Sequence, residues 1–251
     1  MVSLQVIAAV KERFPHCPVL AVGYSLGGVL LGHYLRLLGD DAQIDAAVAI
    51  SAPFHLPTSR RNLMGYSTAF LLNVYLTYFL VKRLRKHRRL LQSSGVVDVD
   101  SVLGSRTLYD FDNRYTAPVF GYENADDYYV HASLAGKLST IRRPLLFLAA
   151  MDDAFGALET FPASEMEQSP WLAGVLTPRG GHVGFVDGWL WPRPPFFSER
   201  LVAAYLHGLL RLCTRLPRGR PLFEALDSSP HPENIPSQRA PQDRSRHFTA
   251  A

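Results

Sequence analysis

Apolar residues in this chain follow two habits. Short unbroken apolar runs, bounded by Pro or Gly, recur at 18–23 (Pro-Val-Leu-Ala-Val-Gly), 45–51, 144–150 (Pro-Leu-Leu-Phe-Leu-Ala-Ala) and 171–177. Runs of this length with no polar alternation predict strands buried on both faces, as in a parallel sheet. Between them the apolar positions fall at helical spacing. Residues 2–14 form one such stretch, ended by Pro15. Leu26, Val29, Leu30, Tyr34, Leu37 and Leu38 mark another over 26–38, with Gly39 as its stop. Further helices are expected near 158–168 and over 197–213. Strands alternating with helices predict an α/β fold whose parallel strands are joined by crossover helices.

Pro53 and Pro57 interrupt this alternation, and an insertion of different character is expected from about 54 to 139. It contains Tyr66 to Val81, a mostly apolar stretch interrupted by Ser67, Thr68, Asn73 and Thr77. A basic run, Lys82-Arg83-Leu84-Arg85-Lys86-His87-Arg88-Arg89, follows. The stretch is shorter than the roughly 20 residues of a spanning helix. Three readings stand: a lid helix over an active site, a helix lying in a membrane interface with its basic end on anionic headgroups, or a span. The first two are compatible. From about 215 the composition shifts to Pro, Ser, Arg and Gln, so 1–214 reads as one domain and 215–251 as a mostly disordered tail.

Composition narrows the class. The chain has 251 residues, 47% hydrophobic and 19% charged, which suits a globular domain with a sizeable core. Its net charge of +4 is mild, and no aromatic residues interleave with the basic run, so nucleic-acid binding is set aside. Cys17 and Cys213 lack metal spacing and read as reduced thiols. The first residues lack a charged leader and a cleavage site, so no signal peptide is expected.

Candidate chemistry sits at the ends of the expected strands. Gly23-Tyr24-Ser25-Leu26-Gly27 reads G-x-S-x-G between a strand and a helix, the nucleophile elbow of α/β-hydrolases. A serine alcohol is a weak nucleophile, so it must be lifted from the sheet to where a histidine reaches it. Glycines two before and two after the serine are expected to permit the close approach of strand and helix. Asp152 and Asp153 follow the strand at 144–150, and His182 follows the next strand behind Gly180-Gly181. The order Ser, Asp, His is that of the fold. Asp153, followed by Ala-Phe, is preferred to Asp152 as the residue that orients His182. The N–H of Leu26 is the candidate oxyanion donor. No metal and no organic cofactor is implied.

Longer motifs strengthen this reading. Phe-Pro-His-Cys-Pro-Val-Leu-Ala-Val-Gly-Tyr-Ser-Leu-Gly-Gly (14–28), Tyr109-Asp110-Phe111-Asp112-Asn113-Arg114-Tyr115-Thr116, Phe120-Gly121-Tyr122 with Asp127-Tyr128-Tyr129, Met151-Asp152-Asp153 and Gly180-Gly181-His182-Val183-Gly184-Phe185 resemble the fourth AB hydrolase family. They are most similar to its animal, membrane-anchored branch, over about residues 1–212. The resemblance implies an α/β-hydrolase fold, with the fifth to eighth strands of its sheet and a helical lid insertion present here. It implies Ser25 as nucleophile, His182 as base and Asp153 as orienter, acting on acyl esters of lipids or phospholipids. It also implies membrane association, and otherwise a cytoplasmic location; contact with a membrane surface through 66–89 is expected from the apolar stretch and its basic run. The chain departs from the family at Ala154 and Ala157, where prolines are usual, and at its front, where the first strands, anchor and oxyanion loop would stand. Loss of one oxyanion donor costs about 10²–10³ in rate. A truncated hydrolase is therefore expected, or alternatively a catalytically silent fragment that binds a membrane or a partner.

Overall fold

The computed structural model describes residues 2–65, 68–188 and 191–215. Helix α1 (Val2–Arg13) leads into β1 (Leu20–Tyr24), followed by α2 (Leu26–Leu38), a 3₁₀ turn at Gly39–Asp41, and β2 (Ala46–Ile50). The chain returns to the sheet at β3 (Leu145–Ala150) and β4 (Leu172–Thr177) and closes with a long C-terminal helix. The four strands are parallel and lie in chain order, with Leu20 beside Ala46, Val48 beside Leu146 and Leu145 beside Leu172. Every residue of β2 and β3 is buried, as uninterrupted apolar runs require.

Alternation along these strands separates two cores. Ala47, Ala49, Leu145 and Phe147 face Val29, Leu31 and Leu35 of α2. Val48, Ile50, Leu146 and Leu148 face the opposite way, toward Phe185, Leu201 and Tyr205. The Asp45 carboxylate ties α1 to the sheet by accepting from Lys11 at 3.0 Å and from the Val19 N–H at 2.7 Å. That second bond takes the Val19 donor, and β1 begins at Leu20 rather than at Pro18 as the apolar run suggested.

The insertion between β2 and β3 is helical. It comprises α3 (Leu56–Leu63), α4 (Thr68–Arg85), α5 (Arg88–Ser94), α6 (Val99–Leu103), α7 (Leu108–Phe111), a π-helical turn at Asp112–Thr116, α8 (Ala117–Phe120) and α9 (Ala125–Ala132). Its polar side chains staple it together. Thr107 and Asp110 form a reciprocal capping box at the start of α7. Asp112 accepts from Thr116 Oγ1 at 2.6 Å and from the Tyr129 hydroxyl at 2.8 Å. The Asn113 side chain accepts from the Ala125 N–H, and Asn124 caps α9. Burial holds the Asp112 carboxyl above the usual carboxylate range despite those two donors.

The helix foreseen near 158–168 is two short helices, α10 (Ala157–Thr160) and α11 (Ala163–Glu167). Pro162 pushes the preceding Phe161 into extended backbone, at ψ 119°. In the insertion α4 is set against α3, α6 and α7, and α3 touches the loop after β3, where Ser59 Oγ donates to the Phe155 carbonyl at 2.8 Å. Asn73 of α4 lines the same cavity as Ser59 and Phe155. The last helix, α12 (Phe197–Arg215), runs two residues beyond its expected end. Tyr66, Ser67, the Cys213 side chain and residues 216–251 of the expected tail lie outside the described residues.

Candidate active site

The turn from β1 into α2 presents Ser25. Its backbone sits at φ 51°, ψ −121°, a region non-glycine residues rarely occupy. The turn is held by the Ser25 N–H, which donates to the Ile50 carbonyl at 2.8 Å, and by the Gly28 N–H, which donates to the Ser25 carbonyl at 2.9 Å. A Cβ on Gly23 would fall 2.5 Å from the Gly27 carbonyl oxygen, so this position requires glycine. The second flanking glycine departs from expectation. A Cβ on Gly27 meets nothing within 4 Å, whereas one on Gly28 would fall 2.9 Å from the Ala52 Cβ. One residue further along the helix, Gly28 is the position that faces the end of β2. Leu26 opens α2, where its N–H has no acceptor within the helix.

The loop after β4 brings His182 to Ser25. His182 Nε2 is 2.8 Å from Ser25 Oγ, and His182 Nδ1 is 3.0 and 3.1 Å from the two carboxylate oxygens of Asp153. The carboxylate facing Nδ1 makes that nitrogen the N–H, which leaves Nε2 to accept from the serine hydroxyl. Asp153 is buried, and its Oδ1 also accepts from the Phe155 N–H at 2.8 Å. The Phe155 ring stacks on the imidazole with centroids 4.1 Å apart. Ser25, Asp153 and His182 are thus joined through the imidazole, at the C-terminal ends of β1, β3 and β4.

Asp152 does different work. It is exposed, and its Oδ1 accepts from the N–H groups of Gly180 and Gly181 at 2.9 and 2.7 Å. The two adjacent aspartates divide the task, one holding the imidazole and the other the backbone that carries it. The histidine loop needs such support, because Gly181, Val183 and Phe185 all have positive φ. Ser51, which the sequence reading did not single out, supplies another brace. It is buried just past β2, has φ 51°, and accepts from the Val183 N–H at 3.0 Å. Nothing but its place after a strand could have marked it.

The parallel sheet, the strand–turn–helix at Ser25 and the helical insertion after β2 define an α/β-hydrolase fold. No family model matches the chain. It is 34% identical over 205 residues to phospholipase ABHD3 of Homo sapiens, covering 82% of this chain and 49% of that protein. It is 36% identical over 184 residues to the putative esterase YheT of Escherichia coli (strain K12), covering 72% of this chain and 52% of that one. The chain belongs to the abhydrolase-domain family of α/β-hydrolases. It spans about half the length of the curated relatives it matches. Among solved structures, a putative aryl esterase from Burkholderia cenocepacia aligns with a TM-score of 0.41 and 19% identity, over 84% of this chain and 70% of that one.

Proposed function

We propose that the chain carries the catalytic triad of a carboxylic ester hydrolase acting on acyl esters of lipids, phospholipids among them. The observation that carries this reading is the unbroken path from Ser25 Oγ through the His182 ring to the buried Asp153 carboxylate. Ser25 Oγ attacks the ester carbonyl carbon while its proton passes to His182 Nε2. Asp153 accepts from Nδ1–H and stabilises the charged imidazole. The Leu26 N–H donates to the oxyanion as the tetrahedral intermediate forms. Collapse expels the alcohol, which takes the proton back from His182, and leaves an acyl-serine. Water then attacks that ester with His182 again as base, and the fatty acid leaves. The lipid part of the reading is supported by the name of the human relative, a phospholipase.

A fluorophosphonate probe tests the nucleophile directly. Labelling of the folded chain that vanishes in Ser25→Ala is expected. Asp153→Asn should lower the labelling rate by about 10⁴, from the wrong imidazole tautomer. Asp152→Asn leaves the tautomer alone and should cost roughly tenfold or less, together with about 1 kcal/mol of stability. Folded wild-type protein that takes no label would overturn the proposal. It would favour a silent fragment that binds a partner, a second reading supported by the exposed Val22 and Tyr24 on β1.

A further inference from the structure

Helix α4 is built inside out. Ala69, Asn73, Thr77 and Val81 form an i, i+4 stripe that faces the insertion, with Asn73 2% and Thr77 1% exposed. Asn73 fixes this orientation with three neighbours' atoms: its amide donates to the Leu63 carbonyl and the Met64 sulfur, and its Oδ1 accepts from the Leu108 N–H at 2.7 Å. The larger apolar and aromatic residues of its middle turns point the other way. Leu71 is 68% exposed and Tyr75 59%, and Val74, Tyr78 and Phe79 continue the outward face at helical spacing. A helix on the surface of a water-soluble domain normally shows the reverse, apolar inward and polar outward. No single helix among the described residues is long and apolar enough to cross a membrane.

The end of this face is cationic. Lys82 lies 5.7 Å from the Tyr78 ring and 5.9 Å from the Phe79 ring. Arg83, Arg85, Lys86 and Arg89 are exposed and meet no carboxylate among the described residues, while Arg88 pairs with Asp100 at 2.7 Å. A second copy of the chain would bring the same cations to the contact and be repelled. An apolar protein partner would leave them unneutralised. An anionic lipid surface satisfies both features at once, the acyl boundary taking the aromatic and aliphatic face and the headgroups taking the cations.

From this match we infer that α4 and the turn that follows it dock the protein on anionic lipid bilayers, with α4 lying in the interface plane. The inference does not depend on catalysis, because binding is read without turnover. Co-sedimentation of the full chain with vesicles of pure phosphatidylcholine, and with vesicles containing 30% phosphatidylserine, tests it. Binding is expected on the anionic vesicles, weakening steeply as salt rises. Replacing Arg83, Arg85, Lys86 and Arg89 together by Gln should weaken it about 600-fold, at roughly a fivefold loss per cation. Leu71→Ser with Tyr75→Ser should also abolish binding while leaving the helical circular dichroism and the thermal midpoint unchanged, since neither side chain is buried. Equal binding to both vesicle types, or binding that survives either variant, would overturn the inference. So would a concentration-dependent oligomer that the Leu71/Tyr75 variant dissolves in the absence of lipid.

Discussion

At the scale of single residues, the elbow is a problem of space. Gly23 has no alternative, because a methyl group there would lie inside the van der Waals envelope of the Gly27 carbonyl. Gly28 is nearly as constrained against Ala52, whereas Gly27 opens onto free space within a helical turn. Three alanine substitutions should therefore part company. Gly23→Ala should cost several kcal/mol, since backbone rather than a movable side chain must yield. Gly28→Ala should cost about 1–3 kcal/mol through overpacking. Gly27→Ala should be neutral or gain up to about 1 kcal/mol from helix propensity. Thermal melts of the three variants check the order, and a destabilised Gly27→Ala would show that the flanking-glycine rule applies here after all.

At the scale of elements, His33 helps link α2 to the insertion. His33 Nδ1 accepts from Arg36 Nε at 2.8 Å, and since the guanidinium can only donate, Nε2 carries the proton and donates to the Ala132 carbonyl at 2.9 Å. Burial, with the Arg36 and Lys137 charges, holds the His33 pKa below its ordinary 6.5. A lowered histidine contributes stability that is present above 6.5 and is lost as the pH falls through the folded-state value. The thermal midpoint of the wild type should then drop more between pH 7.5 and 5.0 than that of His33→Gln, which has no charge to gain. Parallel drops in the two proteins would remove His33 from the account. The same scale decides what was legible in the sequence. The strands were, because β2 and β3 are buried on both faces and leave uninterrupted apolar runs. So was the order of Ser25, Asp153 and His182, because each follows such a run. The facing of α4 was not: periodicity assumes that apolar positions turn inward, whereas the partners that draw Asn73 in come from Leu63 and from Leu108, 35 residues away. Ser51 carried only its place after a strand, since its work depends on Val183 arriving from the loop after β4.

At the scale of the whole molecule, the sheet ends in two edge strands, β1 and β4. β2 and β3 are sealed on both faces, and α11 packs against β4. β1 pairs with β2 on one side and with no strand on the other among the described residues, and Val22 and Tyr24 are exposed there. Leu26 and Leu30 of α2 are exposed as well. An open edge whose backbone donors and acceptors lack partners is a template for pairing with another strand, and charged side chains are the usual protection. β1 (Leu-Ala-Val-Gly-Tyr) has none. The chain should accordingly self-associate through β1 in a concentration-dependent way, measurable by light scattering or sedimentation at micromolar concentration. Val22→Lys should shift it toward monomer, because the side chain at 22 is already partly in water and an ammonium group there opposes stacking of a second edge. The substitution leaves Gly23 and Ser25 in place, so fluorophosphonate labelling by the monomer should persist. A wild-type chain that stays monomeric across that range, or an oligomer indifferent to Val22→Lys, would show that the β1 edge is closed in solution by something other than a second strand.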